Sequence, residues 1–269
     1  MPDILRRELA PVSDQAWEQF DKEAARVLRQ HLVGRSVVDF SGPHGWELGA
    51  VNLGRLKSTD NKTPEGVGWG TRENLSLIEI RVPFALRQME VDNVLRGCAD
   101  ADFSPLQEAA VKAARFEDAA IFTGFTKAGI QGILPSAAHE AVPLPPKASG
   151  YPAAVGEALK LLAAAGIGGP YCLVLPAEQY GLLMKAAEGG YPPHRVVKEM
   201  VQGDVLPSMV LHSGVLVSTR GGDFELTVGV DLAMGYSGSD GDSVRLFVTE
   251  SFTFRVLEPN AAVEFKLPA

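Results

Sequence analysis

The residues able to do chemistry in this 269-residue chain are present but not grouped. Its five histidines, 31, 44, 139, 194 and 212, are scattered, and none stands at metal-ligand spacing to another. His139-Glu140 begins like a helical two-histidine zinc motif, but the position that needs the second ligand is Pro143. Gly66-Val67-Gly68-Trp69-Gly70 lacks the third-glycine spacing of a dinucleotide fingerprint, and no Gly-Lys-Ser/Thr phosphate loop occurs. Gly235-Tyr236-Ser237-Gly238 is one residue short of a nucleophile elbow and reads as a hairpin turn. Asp240 and Asp242 lack the glycine and the terminal glutamate of a calcium loop, so a solvated turn is expected there. Glu117 and Asp118 are neighbours on a helix and point about 100° apart, which excludes a catalytic carboxylate pair. Cys98 and Cys172 are too few for a disulfide framework and read as buried structural thiols.

The elements that must position these residues are easier to read. A helix is expected from about Asp14 to Leu32, with Ser13 as its cap and Trp17, Phe20, Ala24, Val27, Leu28 and Leu32 on one face. Val37 to Phe40 reads as a short strand, and residues 48–56 as extended. Between Lys57 and Arg72 the chain turns polar and glycine-rich, too long for a hairpin turn. Ile78, Ile80, Val82, Phe84 and Leu86 alternate, and Pro83 among them predicts an edge strand or a bulge. A short helix over 89–96 stops at Gly97. Ser104, Pro105 and Gln107 predict a capping box for a helix that reaches Phe122, with Gly124 at its end.

Prolines 135, 143, 145, 146 and 152 mark a transition on the scale of a domain. Helices are expected over 153–165, 177–188 and 193–202, around a strand at 171–175. Strands follow at 215–217, 224–232 and 244–257. In the last of these every second residue from Val244 is apolar except Glu250. The class is mixed α+β.

Composition removes several functions. Acidic residues exceed basic ones by 33 to 25, a net charge of −8, which argues against a surface built to bind nucleic acid. With 46% hydrophobic and 22% charged residues the chain is globular rather than disordered. No apolar run approaches the roughly 20 residues of a membrane helix, and Met1 to Glu8 carry charge where a secretory signal needs an apolar stretch. A soluble cytoplasmic protein is expected.

Several short blocks carry more information together, in their order along the chain, than any one of them does. They are Leu5-Arg6-Arg7 with Trp17, Gly34-Arg35 through Asp39, Gly42-Pro43-His44-Gly45-Trp46-Glu47 and Glu90-Val91-Asp92-Asn93. Phe116-Glu117-Asp118, Gly169-Pro170-Tyr171, Gly221-Gly222-Asp223-Phe224, Gly235-Tyr236 and Val244-Arg245-Leu246-Phe247 follow, and in this order the blocks resemble the encapsulins, bacterial and archaeal shell proteins also called linocin-like, and within them the family 1 nanocompartments. The resemblance implies the tailed-phage major-capsid fold of Hong Kong 97 type. Its peripheral domain would take residues 1–47, 88–133 and 223–269, its extended arm 48–87, and its axial domain 134–222. It implies a self-assembling icosahedral shell, T=1 with about 60 copies, that holds a cargo enzyme by that enzyme's C-terminal peptide. A ferritin-like iron-storage protein or a peroxidase is the cargo the family suggests. A phage capsid protein, and a hydrolase or bacteriocin-like protein, are the alternatives.

The resemblance also assigns residues. Val27, Leu28, Leu32, Arg35 and Asp39, with Asp231, Leu232, Met234 and Tyr236, would line a groove for the cargo peptide. Glu188, Gly189, Gly190, Tyr191 and His194 would form a pore loop at the fivefold vertex. No catalytic residue, metal ligand or cofactor is expected. Some relatives stack a flavin on a tryptophan where this chain has Met89, so flavin is not expected either.

Overall fold

Ser13 begins the first helix as its residue type predicts: in the computed structural model, which describes residues 4–63, 65–186 and 191–267, its hydroxyl accepts the Ala16 N–H at 3.2 Å. Helix α1 (Asp14–His31) buries Ala16, Trp17, Phe20, Ala24 and Val27 along one stripe. Strand β1 (Asp39–Ser41) starts two residues later than the pattern suggests, because Gly34–Ser36 forms a 3-10 turn that buries Val37.

Most of the polar stretch 57–72 is strand, 57–62 on one side and 68–72 on the other. β2 (Ala50–Lys62) and β3 (Gly68–Ser76) pair antiparallel, and Thr63 closes the turn by accepting the Gly66 N–H at 2.8 Å. Periodicity does not reveal these strands because β3 has no buried residue, so neither face selects apolar side chains. β4 (Ile78–Arg87) is an edge strand, which accommodates Pro83.

Helix α2 (Gln88–Leu95) stops before Gly97, whose φ is +83°. Helix α3 (Ser104–Phe122) lacks the expected capping box. Phe103 takes the cap position and packs edge-on to Phe20 at 5.4 Å. The Ser104 N–H donates to Asp102, and the Gln107 amide donates to Glu23 of α1 at 2.6 Å.

The chain continues through α4 (Ile133–Ser136), β5 (Val142–Pro143), α5 (Tyr151–Ala164), β6 (Tyr171–Pro176), α6 (Ala177–Lys185) and α7 (Pro193–Val201). β7 (Val205–Ser208), β8 (Gly214–Ser218), β9 (Phe224–Val228), β10 (Ala233–Ser239), β11 (Ser243–Val256) and β12 (Ala262–Lys266) follow. The strand expected over 224–232 is interrupted at 229–232, and the chain then re-enters the sheet as β10. Gly235 to Gly238, expected as a hairpin turn, therefore lies inside a strand, with a register shift after Tyr236.

Two five-stranded sheets organise the molecule. In the first, β4 lies on one side of β11, while β9 and β10 follow one another along the other side, with β1 parallel outside β9. Helices α1, α2 and α3 cover it through a core that includes Phe20, Val91, Leu106, Met234 and Leu246. The second sheet runs β5-β12-β8-β6-β7 and shares its core with α5 and α7 through Val155, Leu162, Val197, Leu173 and Phe265. Residues 223–269 thus contribute to both sheets, β9 to β11 in one and β12 in the other. The β2–β3 hairpin pairs with no third strand among the described residues.

Candidate functional site

The 3-10 turn after α1 is held by Asp118 of α3, whose carboxyl accepts the N–H groups of Val33 at 3.2 Å and Gly34 at 2.8 Å. A Cβ on Gly34 would stand 2.6 Å from Ile121 Cδ1, so glycine permits this close approach. Arg35 then reaches three more carboxyl groups. Its Nε donates to both oxygens of Glu117, at 2.9 and 3.0 Å. Its Nη2 donates to Glu117 at 2.6 Å, and to Asp231 and Glu250 at 2.8 Å each. Glu117 and Glu250 are fully enclosed, whereas the Asp231 side chain is 41% exposed.

This crowding sets the charges. Burial pushes the Asp118 carboxyl up to about 7; Glu117 adds to the rise, against the lowering by the backbone N–H groups. Burial first, and then Glu117, push Glu250 well above the carboxylate range. For Arg35 burial opposes the charge, but Glu117, Asp231 and Glu250 outweigh it and keep the guanidinium firmly protonated.

Next to the cluster lies the outer edge of β10. The Tyr236 N–H donates to the Leu5 carbonyl at 2.7 Å, and Arg7 Nε donates to the Met234 carbonyl at 3.1 Å. Arg7 also pairs with Asp21 and lies 4.3 Å above the Trp17 ring. The N-terminal residues are thereby fastened along part of β10. Phe247 fills the space over Gly235, where a Cβ would meet its ring at 2.2 Å.

Of the nine expected groove residues, Leu28, Leu232, Met234 and Tyr236 border the same core beside α1. Val27 is buried and Leu32 is half-buried at the helix end. Arg35 and Asp231 meet each other, with Nε and Nη2 of Arg35 engaged within the chain. Asp39 stands apart, its carboxyl accepting the Gly222 N–H at 2.6 Å. Glu117, Asp118 and Glu250 were not expected to belong to this site. The one signal for them was Glu250 itself, a lone acid in the apolar phase of a strand.

Of the expected pore residues, Glu188, Gly189 and Gly190 lie outside the described residues. Tyr191 is exposed and its hydroxyl donates to Glu199; His194 is half-buried in the first turn of α7, with Nδ1 enclosed and unpartnered. Cys172 is buried as expected, and burial pushes its thiol up to about 12. Cys98 is not buried: it is exposed after the end of α2, and its Sγ donates to Asp100 at 3.1 Å. Among the described residues no cluster of three or more His, Cys, Asp or Glu could hold a metal ion, and no helix is long and apolar enough to cross a membrane.

Solved capsid and particle subunits share this two-sheet arrangement. A virus-like particle from Pyrococcus furiosus superposes with a TM-score of 0.65 at 18% identity, covering 93% of this chain and 99% of that one. The capsid of Myoviridae phage XM1 gives 0.58 at 11% identity, over 87% and 91%. The fold is therefore the phage-capsid fold of Hong Kong 97 type. Sequence narrows the class further. The Linocin_M18 family model, described as encapsulating protein for peroxidase, matches residues 2–253. Type 1 encapsulin shell proteins are similar over nearly the whole length: that of Mycobacterium tuberculosis is 40% identical over 96% of this chain and 97% of its own. The one from Brevibacterium linens is 36% identical over 98% and 99%. The chain belongs to the Linocin_M18 family of encapsulin shell proteins.

Proposed function

We propose that this shell protein closes a T=1 icosahedral compartment of about 60 copies in the cytoplasm, and retains a cargo enzyme inside by that enzyme's C-terminal peptide. The observation that carries the reading is the β2–β3 hairpin. Leu56, Val67 and Trp69 stand 63%, 59% and 50% exposed on it, and no third strand pairs with it among the described residues. A long unpaired strand pair with apolar side chains is satisfied by a second copy, and only a closed arrangement satisfies every copy. The sheet with β1, β4, β9, β10 and β11 would form the peripheral domain, the hairpin the arm, and the second sheet the axial domain, completed by β12.

The cargo peptide would lie beside α1 and β10, its apolar side chains against Leu28, Leu32, Leu232 and Tyr236. Two such side chains give roughly 3–6 kcal/mol before ordering costs, so an oligomeric cargo would gain its hold from many weak sites. Arg35, engaged by its own carboxyl groups, would position Asp231 rather than grip the peptide. Small solutes would pass at the 188–194 loop. No flavin enters this reading: Met89 is 57% exposed on α2 and offers no flat ring to stack on.

Electron microscopy of the chain expressed alone tests assembly, and uniform empty shells are the expected result. Only small discrete particles at neutral pH would refute it. Co-expression with a candidate cargo from a neighbouring gene tests the groove. Leu28→Asp shells should lose most of the cargo, and full loading of intact variant shells would remove Leu28 from the site.

A further inference from the structure

The side of the Arg35 guanidinium that faces the carboxyl groups offers fewer hydrogens than the oxygens it meets. Nη2 carries two, yet Glu117 Oε2, Asp231 Oδ1 and Glu250 Oε1 lie 2.6, 2.8 and 2.8 Å away. Nε carries one, already shared between the two oxygens of Glu117. Glu250 Oε2 is enclosed and meets no donor at all. An ionised carboxylate with an unpaired oxygen in the interior is strongly unfavourable. A single proton removes the conflict, because it turns the orphaned acceptor into a donor. Glu117, whose carboxylate meets the same Arg35 Nη2 as Glu250, is the acceptor at hand.

The neighbouring charges supply no other compensation. Glu117 and Asp118 come from α3, Asp231 from the link between β9 and β10, and Arg35 from the 3-10 turn. On β4 the residue opposite Glu250 is Ile80, while Glu79 and Arg81 alternate to the other face. Glu225 of β9 is paired with Arg255. Three carboxyl groups thus share one guanidinium, with Asp118 beside them on the backbone turn.

We infer that Glu250 is a neutral carboxylic acid whose Oε2 proton is donated to Glu117, and that this proton latches Arg35 to Asp231. Asp231 in turn accepts the Leu232 N–H at 2.8 Å, so the latch fixes the break between β9 and β10 that borders the candidate groove. Ionisation of Glu250 adds a third full charge competing for Nη2, and Asp231, the most exposed of the three partners, is the one released to water. The latch stands whether or not the groove takes a peptide.

Infrared difference spectra of the assembled protein, wild type against Glu250→Gln, test the proton. The amide of the variant supplies the same donor without a titratable group. Both spectra are taken in an Asp118→Asn background, because Asp118 keeps a proton of its own up to about 7; at neutral pH the chain with Glu250 should then show a protonated-carboxyl C=O band that the variant lacks and that alkali removes. Hydrogen exchange read in parallel should show the Leu232 amide exchanging at least about tenfold faster as the band disappears, with no such step in the variant. No band in the chain with Glu250, or the same band in Glu250→Gln, overturns the assignment. Band loss with unchanged exchange overturns the latch. Should Glu250→Gln fail to fold, Glu117→Gln gives the same comparison: Glu250 is then the charged partner of Arg35, and the band must vanish.

Discussion

Arg35 and Glu250 are 215 positions apart in the chain and 2.8 Å apart in the structure. Half of that contact was visible beforehand. A glutamate alone in the apolar phase of β11 must find a partner, because a buried charge without one is not tolerated. Which partner it finds is not written locally. The adjacent Glu117 and Asp118 do diverge, as their helical spacing requires, so that one meets Arg35 and the other caps the Val33–Gly34 turn. Asp118 leads to a pH prediction. It holds its proton to about 7 in the folded protein, against about 3.9 for an unfolded aspartate. Between those values the folded state binds more protons, so the Asp118 contribution to stability falls as pH rises from about 4 to about 7, and is level above. Asp118→Asn should flatten the decline of the melting midpoint across that window, as read by scanning calorimetry. An unchanged slope would place the titration elsewhere.

At the scale of elements, local chemistry marked the starts and stops better than the strands. Ser13, Gly97 and Gly124 end or begin helices because hydroxyl capping and positive φ are properties of single residues. The capping box at Ser104 failed because Phe103 had a better use for the cap position, against Phe20 in the core. The strands of the hairpin leave no alternation in the sequence because solvent reaches both faces. The hairpin's exposed apolar residues carry the next prediction. Leu56→Asp with Trp69→Ser should leave the far-ultraviolet circular dichroism of the subunit as in the wild type, since neither side chain is in the subunit's core. The same variant should sediment as small species rather than shells. Normal shells from this variant would show that the arm is not an assembly contact.

At the scale of the whole molecule, symmetry multiplies every surface feature. Around a fivefold axis, Glu188 would be repeated as a ring of carboxylates that concentrates cations near a channel. Shells loaded with an iron-oxidising cargo and carrying Glu188→Lys should oxidise iron several-fold more slowly at low salt, measured as an initial rate. The difference should shrink as salt screens the ring. A rate equal to the wild type, with loading intact, would send the route of passage elsewhere. Mixed α+β content was legible in the sequence, whereas its division into two sheets was not; β5, the first strand of the second sheet, lies within the proline-rich segment 135–152.

What the sequence by itself determined are the quantities that depend on residues close together in the chain: the helical stripe of α1, the alternation of β11, the glycine stops and the absence of a local catalytic motif. Joint order of many short blocks also determined the family, which no single block could. Only the tertiary structure decided the pairings. It set β4 along β11, returned β12 to the second sheet beside β8, laid Leu5 against Tyr236, and brought three carboxyl groups to one arginine. The physical reason is the range of the forces involved. Capping and periodicity act over one or two turns, whereas a ladder hydrogen bond or a buried ion pair is worth its energy only at about 3 Å, a distance that chain separation does not encode.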